Sequence, residues 1–198
     1  MLILLITSML ALVFSVGLVR AQVNIHDVAV TSVISSKTVV GLGYGLNVTV
    51  TAEDLGDYAE TSNVTVYANT TSIACAQNVT LSIANSTFFA RVRIIAFPWN
   101  TAGFAYGNYT ISAYVTLLPG ETNTANNNTT GGTVCVSIPG DINGDGKVDI
   151  YDAITLASAF GSSPGSSNWN PNADINGDGT VDIYDAIIMS SYFGQTIP

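Results

Sequence analysis

Residues 141–152 read DINGDGKVDIYD, and residues 174–185 read DINGDGTVDIYD. The duplication runs beyond the loops: 140–154 and 173–187 agree at 13 of 15 positions, at an offset of 33. Each loop places oxygen-bearing side chains at positions 1, 3, 5, 9 and 12, with glycine at position 6. A hard cation such as Ca²⁺ takes about 6–8 oxygens, and a twelve-residue loop with this spacing supplies them. In the first loop the expected ligands are Asp141, Asn143, Asp145, Asp149 and Asp152, with the main-chain carbonyl of Lys147. In the second they are Asp174, Asn176, Asp178, Asp182 and Asp185, with the carbonyl of Thr180. Gly146 and Gly179 stand where the chain must turn sharply. Val148 and Val181, at position 8, are expected to point inward and pair the loops side by side. Position 12 is Asp rather than the longer Glu, so the chain must come closer to present both oxygens. Two calcium ions are the expectation.

The charge distribution supports a metal. Of the fourteen acidic residues, eight lie in these two loops, and with Lys147 they carry −7 of the net charge of −9. The remainder of the chain is nearly neutral. Four carboxylates crowded into one short loop repel one another unless a cation joins them.

Each loop runs into a short helical stretch, 150–160 and 183–193, with apolar residues at helical spacing and Gly161 and Gly194 just beyond as caps. No amphipathic helix precedes either loop: the first follows Pro139 and Gly140, and the second follows a polar stretch broken by Pro171. An EF-hand has a helix on both sides. A duplicated loop followed by one helix resembles the dockerin family, over 140–194. That resemblance implies two F-hand calcium sites and a non-catalytic module that plugs into cohesin domains or another cell-surface protein. The family's partner-reading positions fall here on Ile150, Tyr151, Ile183 and Tyr184. Tyr151 and Tyr184 have the alternative role of packing between the two halves.

Residues 2–19 are almost wholly apolar, long enough for an export signal or a spanning helix. Small residues at Val19 and Ala21 suit cleavage after Ala21, and a retained anchor is the alternative, the only case in which a membrane is a partner. Either way the body of the protein is expected outside the cell or at its surface. Cys75 and Cys135 are an even pair compatible with one disulfide. Sequons at Asn47, Asn63, Asn69, Asn78, Asn85, Asn108, Asn127 and Asn128 fit a glycoprotein.

Between these ends, residues 22–138 read as one all-β domain of immunoglobulin-like sandwich type, followed by the small helical module over 139–198. Seven strand-like runs are expected at 27–35, 46–52, 62–68, 77–83, 88–96, 108–118 and 133–138, with turn residues between them. The stretches HDVAVTSV, NVTVYAN, FPWNTAGFAYGNYTISAYV and LPGETNTANNN resemble the cell-adhesion-related domain of bacteria and archaea (CARDB), over about 25–136. The resemblance implies an immunoglobulin-like fold in secreted surface proteins and no functional residues. Trp99 and Tyr109 are expected in the sandwich core, with sugar stacking the sharper alternative. Pro139 and Gly140 are expected to form a hinge, and Trp169 to cover the small core of the repeat module.

No catalytic set emerges. His26 is the sole histidine, neither cysteine has a neighbouring base, and the acids in AEDLGDYAE read as a solvated turn. Five scattered basic residues exclude a nucleic-acid surface. The expected function is therefore calcium-dependent docking by a secreted, non-catalytic protein. The alternatives are a carbohydrate-binding accessory of a polysaccharide-degrading complex and a structural subunit of a surface layer or filament.

Overall fold

The computed structural model describes residues 25–82 and 91–197. The apolar N-terminal segment and its cleavage point, and the sequon at Asn85, lie outside these residues.

Among the described residues, eight strands form two sheets. They are β1 (Val28–Ser35), β2 (Val39–Gly41), β3 (Gly45–Asp54), β4 (Glu60–Ala68), β5 (Thr71–Leu81), β6 (Val92–Asn100), β7 (Gly107–Val115) and β8 (Asn128–Ser137). One sheet has the order β1-β3-β6 and the other β2-β8-β7-β4-β5. All pairs are antiparallel except β2 with β8. With β1 and β2 taken as one edge strand that changes sheet, this is the immunoglobulin order, A-B-E against A′-G-F-C-C′. Strict alternation builds the core. Leu46, Val48, Val50 and Ala52 of β3 face Val64, Val66 and Ala68 of β4 and Ile111, Ala113 and Val115 of β7, all buried in one cluster.

Two strand expectations move. β6 runs on through Trp99, and β5 is an eleven-residue strand that starts at Thr71. β2 was not expected, because three residues are too few to show a period. Trp99 is 2% exposed and meets Phe104 and Tyr109 edge-on, at centroid distances of 5.2 and 5.9 Å. It is core, and the sugar-stacking alternative has no exposed face at Trp99 to use.

Three expectations are corrected. Cys75 and Cys135 are both free. Cys75 lies on β5 and Cys135 on β8, with β4 and β7 between them. Three strand spacings are about 14 Å. Cys135 is also level with Asn108 of β7, whereas Cys75 is level, through Thr65, with Tyr114, six residues further along that strand. A disulfide needs Cα atoms within about 7 Å. Asn127 is 1% exposed and its amide donates to both oxygens of Glu121 at 3.2 Å, so a folded chain does not offer that sequon. The acidic stretch 52–60 is not a wholly solvated turn. Asp54 is buried and accepts from Gly56 N–H at 2.9 Å, and Glu60 meets His26, whose ring stacks on Tyr58. Burial pushes the Asp54 carboxyl above the usual range, against the pull of the Gly56 N–H.

The C-terminal unit has helices α1 (Ile150–Ala159) and α2 (Ile183–Tyr192) and a core of its own, including Ile142, Val148, Leu156, Ala173, Ile175, Val181 and Met189. Trp169 packs on this core as expected. Among the described residues no helix is long and apolar enough to cross a membrane.

Candidate calcium-loop site

The two loops fold identically, bond for bond. Asp141, at position 1, accepts N–H donors from Gly144 (2.7 Å), Asp145 (3.3 Å) and Gly146 (2.8 Å). Asp174 accepts the same set from Gly177 (2.9 Å), Asp178 (3.1 Å) and Gly179 (3.1 Å). At position 3, Asn143 and Asn176 each accept the N–H two residues on, at 2.9 Å. These bonds wrap the chain around the carboxylates. Gly146 and Gly179 hold positive φ, at 83° and 90°, which a side chain would strain.

The loop ends become helix starts. Asp149 accepts from Tyr151 N–H and Asp182 from Tyr184 N–H, each at 2.8 Å. Asp152, fully buried, accepts from Ile142 (2.8 Å), Asn143 (3.2 Å) and Asp149 (3.0 Å). Asp185, equally buried, accepts from Ile175 (2.7 Å), Asn176 (3.1 Å) and Asp182 (2.8 Å). Position 12 thus closes the loop onto its own beginning and completes a capping box for the helix. Burial pushes the Asp185 carboxyl above the usual carboxylate range, opposed by those three N–H donors and reinforced by the Asp174 charge.

As the side chains stand, no three His, Cys, Asp or Glu among the described residues converge tightly enough to hold an ion. Positions 9 and 12 turn their oxygens to backbone donors at the helix start. The donor chemistry nonetheless fits a hard cation: every polar side chain of the ring is a carboxylate or amide oxygen, and Asp141, Asp152, Asp174 and Asp185 are buried.

The position-8 valines are buried but do not pair with each other. Val181 N–H donates to the Ser162 carbonyl (3.0 Å) and Gly161 N–H to the Val181 carbonyl (2.8 Å). Val148 does the same with Gln195 (3.0 Å) and Gly194 (2.8 Å). Each loop therefore pairs with the segment that follows the other repeat's helix. No entering helix exists to bring the loops face to face, and the caps at Gly161 and Gly194 turn the chain back across the module instead.

Ile150, Tyr151, Ile183 and Tyr184 open outward, Tyr151 at 66% and Tyr184 at 63% exposure. The alternative of tyrosines packed between the halves is thereby corrected. Ile154 and Phe160, and symmetrically Ile187 and Phe193, extend the same exposed apolar surface.

Two residues that sequence reading passed over join the module to the sandwich. Asn172 accepts from Thr38 N–H (3.0 Å) and Val39 N–H (3.2 Å), and donates to Thr38 Oγ1 (3.0 Å) and the Ile142 carbonyl (3.3 Å). Lys37, 6% exposed, donates its ammonium to the main-chain carbonyl of Asp174. Tyr44 packs on both cores. A Cβ on Gly41 would fall 2.7 Å from Pro139 Cα, and one on Gly140 3.0 Å from Met189 Cα. The expected hinge is a packed joint. Only the three-dimensional approach reveals these contacts, since Lys37 and Asp174 are 137 residues apart.

The comparison with known families meets this geometry where the loops lie. Residues 139–194 match the dockerin type I domain. Dockerin domains bind calcium and interact with cohesin partners, in proteins that are typically extracellular or at the cell surface. No curated relative matches the chain. Among solved structures similar to the sandwich is the CARDB domain of a Pyrococcus furiosus protein, determined in complex with di-metal ions. It shares 26% identity over 57% of this chain and 89% of that one, at a TM-score of 0.44. A solution structure of the same domain gives 25% identity, 57% and 96% coverage, and a TM-score of 0.44. A β-glucosidase from Erythrobacter marinus gives 14% identity over 56% of this chain and 15% of that one, at 0.38. The immunoglobulin-like assignment rests on the strand order itself. The dockerin-type module and the sandwich it follows are thus two folds with separate cores in one chain.

Proposed function

We propose that this is a secreted, non-catalytic docking protein whose dockerin-type module binds two calcium ions and attaches the sandwich to a cohesin-like partner. The carrying observation is the bond-for-bond repetition of the two loops, each backed by a fully buried position-12 carboxylate. The first ion would be held by Asp141, Asn143, Asp145, Asp149, Asp152 and the Lys147 carbonyl. The second would be held by Asp174, Asn176, Asp178, Asp182, Asp185 and the Thr180 carbonyl. Calcium supplies the charge that lets each loop's acids close together, and so contributes to the folding of the module. The mature chain is proposed as residues 22–138 and 139–198, with the leader removed. In this reading the sandwich is the adhesion-type cargo and the exposed isoleucines and tyrosines are the reading face.

The test is binding of the purified chain to a panel of cohesin domains, in calcium and in EGTA. The account expects at least one cohesin to bind at micromolar affinity or better in calcium, and the binding to vanish in EGTA. Calcium-independent binding, or none across cohesins of differing specificity, would remove the docking assignment. The polysaccharide alternative would instead appear as retention of the chain on an insoluble glycan, carried by exposed aromatics such as Tyr58.

A further inference from the structure

Two loops of nearly one sequence sit in unequal surroundings. Beside the first loop the sandwich presents neutral groups: a Cβ on Gly144 would lie 3.0 Å from Val39 Cγ2 and 3.9 Å from Cys135 Cβ. Beside the second it presents Lys37. A Cβ on Gly177 would lie 4.0 Å from the Lys37 ammonium nitrogen, the same nitrogen that bonds the Asp174 carbonyl. Burial pulls the Lys37 ammonium below its ordinary pKa, and the charges of Asp174, Asp185 and Asp178, three of the four carboxylates of that loop, act against that shift. The other basic residue near either site is Lys147, within the first loop, and its side chain is exposed to solvent and screened.

Lys37 is held in this position. It lies in the link between β1 and β2, and the next two residues, Thr38 and Val39, are pinned by the Asn172 side chain. Asn172 belongs to the module, two residues before the second loop. The ammonium therefore stays beside the loop as long as the module stays seated on the sandwich.

We propose that Lys37 makes the second loop the weaker calcium site, and that filling it loosens the module from the sandwich. The inference rests on the calcium reading above. The physical argument is one of like charges in a confined place. A fixed, buried positive charge beside the loop opposes a divalent cation far more than a solvated one does. It also neutralises part of the acidity that would otherwise draw the ion in. The coupling is reciprocal. If the seated Lys37 lowers calcium affinity by some factor, bound calcium lowers the stability of the seated arrangement by the same factor. The first loop meets the sandwich through a neutral contact, the Ser137 hydroxyl at the end of β8 donating to the Asp141 carboxylate, so its filling sets no like charges against the joint. The chain thus has one structural site and one site that senses calcium against the sandwich.

The experiment is a calcium titration of the full chain by two-dimensional NMR. It follows the amides of Gly146 and Gly179, which donate to Asp141 and Asp174 and so report each loop separately. In the wild type, Gly146 should titrate at lower calcium than Gly179. Lys37→Met should lower the Gly179 midpoint about tenfold, within the usual range of coupling between sites, and leave Gly146 in place. Asn172→Ala, which keeps the charge but unpins its link, should shift Gly179 in the same direction by less. The Thr38 and Val39 amides should move with Gly179 in the wild type, because the joint opens as that loop fills. If both glycines titrate together in wild type and Lys37→Met alike, the Lys37 assignment is wrong while the calcium reading stands. If neither glycine responds, both fall.

Discussion

Asp185→Ala should destabilise the dockerin-type module by about 3 kcal/mol even without calcium. The Asp185 carboxylate is the acceptor for three N–H groups, those of Ile175, Asn176 and Asp182. Removing it strands the buried Ile175 N–H, at about 1–3 kcal/mol, and leaves the part-buried N–H groups of Asn176 and Asp182 without their acceptor. It also removes half of a capping box. A module of this size has a small core and little stability to lose. Asp185→Asn should cost less, since one carbonyl oxygen still accepts from Ile175 and Asn176. Asp145→Ala is the contrasting case. Asp145 is exposed and accepts chiefly from Lys147 N–H, at 3.0 Å, so its loss should be nearly silent in EGTA and felt only in calcium. Urea unfolding followed by fluorescence separates these cases, because Trp169 reports the module and Trp99 the sandwich. An Asp185→Ala chain as stable as the wild type in EGTA would show that the buried carboxylate is not what closes the loop.

Replacing Ile150, Tyr151, Ile183 and Tyr184 together by Ser should abolish cohesin binding and leave the fold and calcium binding intact. A handful of anchors at the centre of an interface carry most of its binding energy, about 2 kcal/mol or more each, and tyrosine is among the residues enriched there. All four are more than half exposed here, so their loss removes almost no core contact. The duplication makes a sharper statement. Changing only Ile150 and Tyr151, or only Ile183 and Tyr184, should leave an intact copy of the surface, and binding should survive in either orientation with a modest loss. Calorimetric binding to a cohesin that accepts the wild type decides this. Unchanged affinity in the fourfold variant would place the reading surface elsewhere.

The repeated loops were more legible in the sequence than the contacts between distant segments, for a physical reason. A twelve-residue loop is a local device. The polar side chains of each loop fall within twelve residues, so spacing alone marks out 141–152 and 174–185, and the shared pattern of hydrogen bonds follows from shared sequence. The alternation of β3 and β4 was equally local. What sequence reading misplaced depends on distance through space. Cys75 and Cys135 are the two cysteines of the chain, an apparent pair, but strand order sets them three strands apart. Asn127 stands in a sequon, yet Glu121, six residues away, holds its amide in the interior. The pairing of Val148 and Val181 with the segments after the opposite helices, rather than with each other, follows from the missing entering helices. That omission was visible in the sequence, though its consequence was not. Lys37 and Asn172 carried no signal at all, since a lysine and an asparagine in polar links are ordinary until the module folds back onto the sandwich.

The most direct test of the central claim is a calorimetric titration of calcium into the full chain after metal removal. The account predicts two ions bound per chain, and one ion each for Asp145→Ala and Asp178→Ala measured at calcium levels that fill the remaining loop. A chain that takes up no calcium, or whose uptake survives both substitutions together, would contradict it.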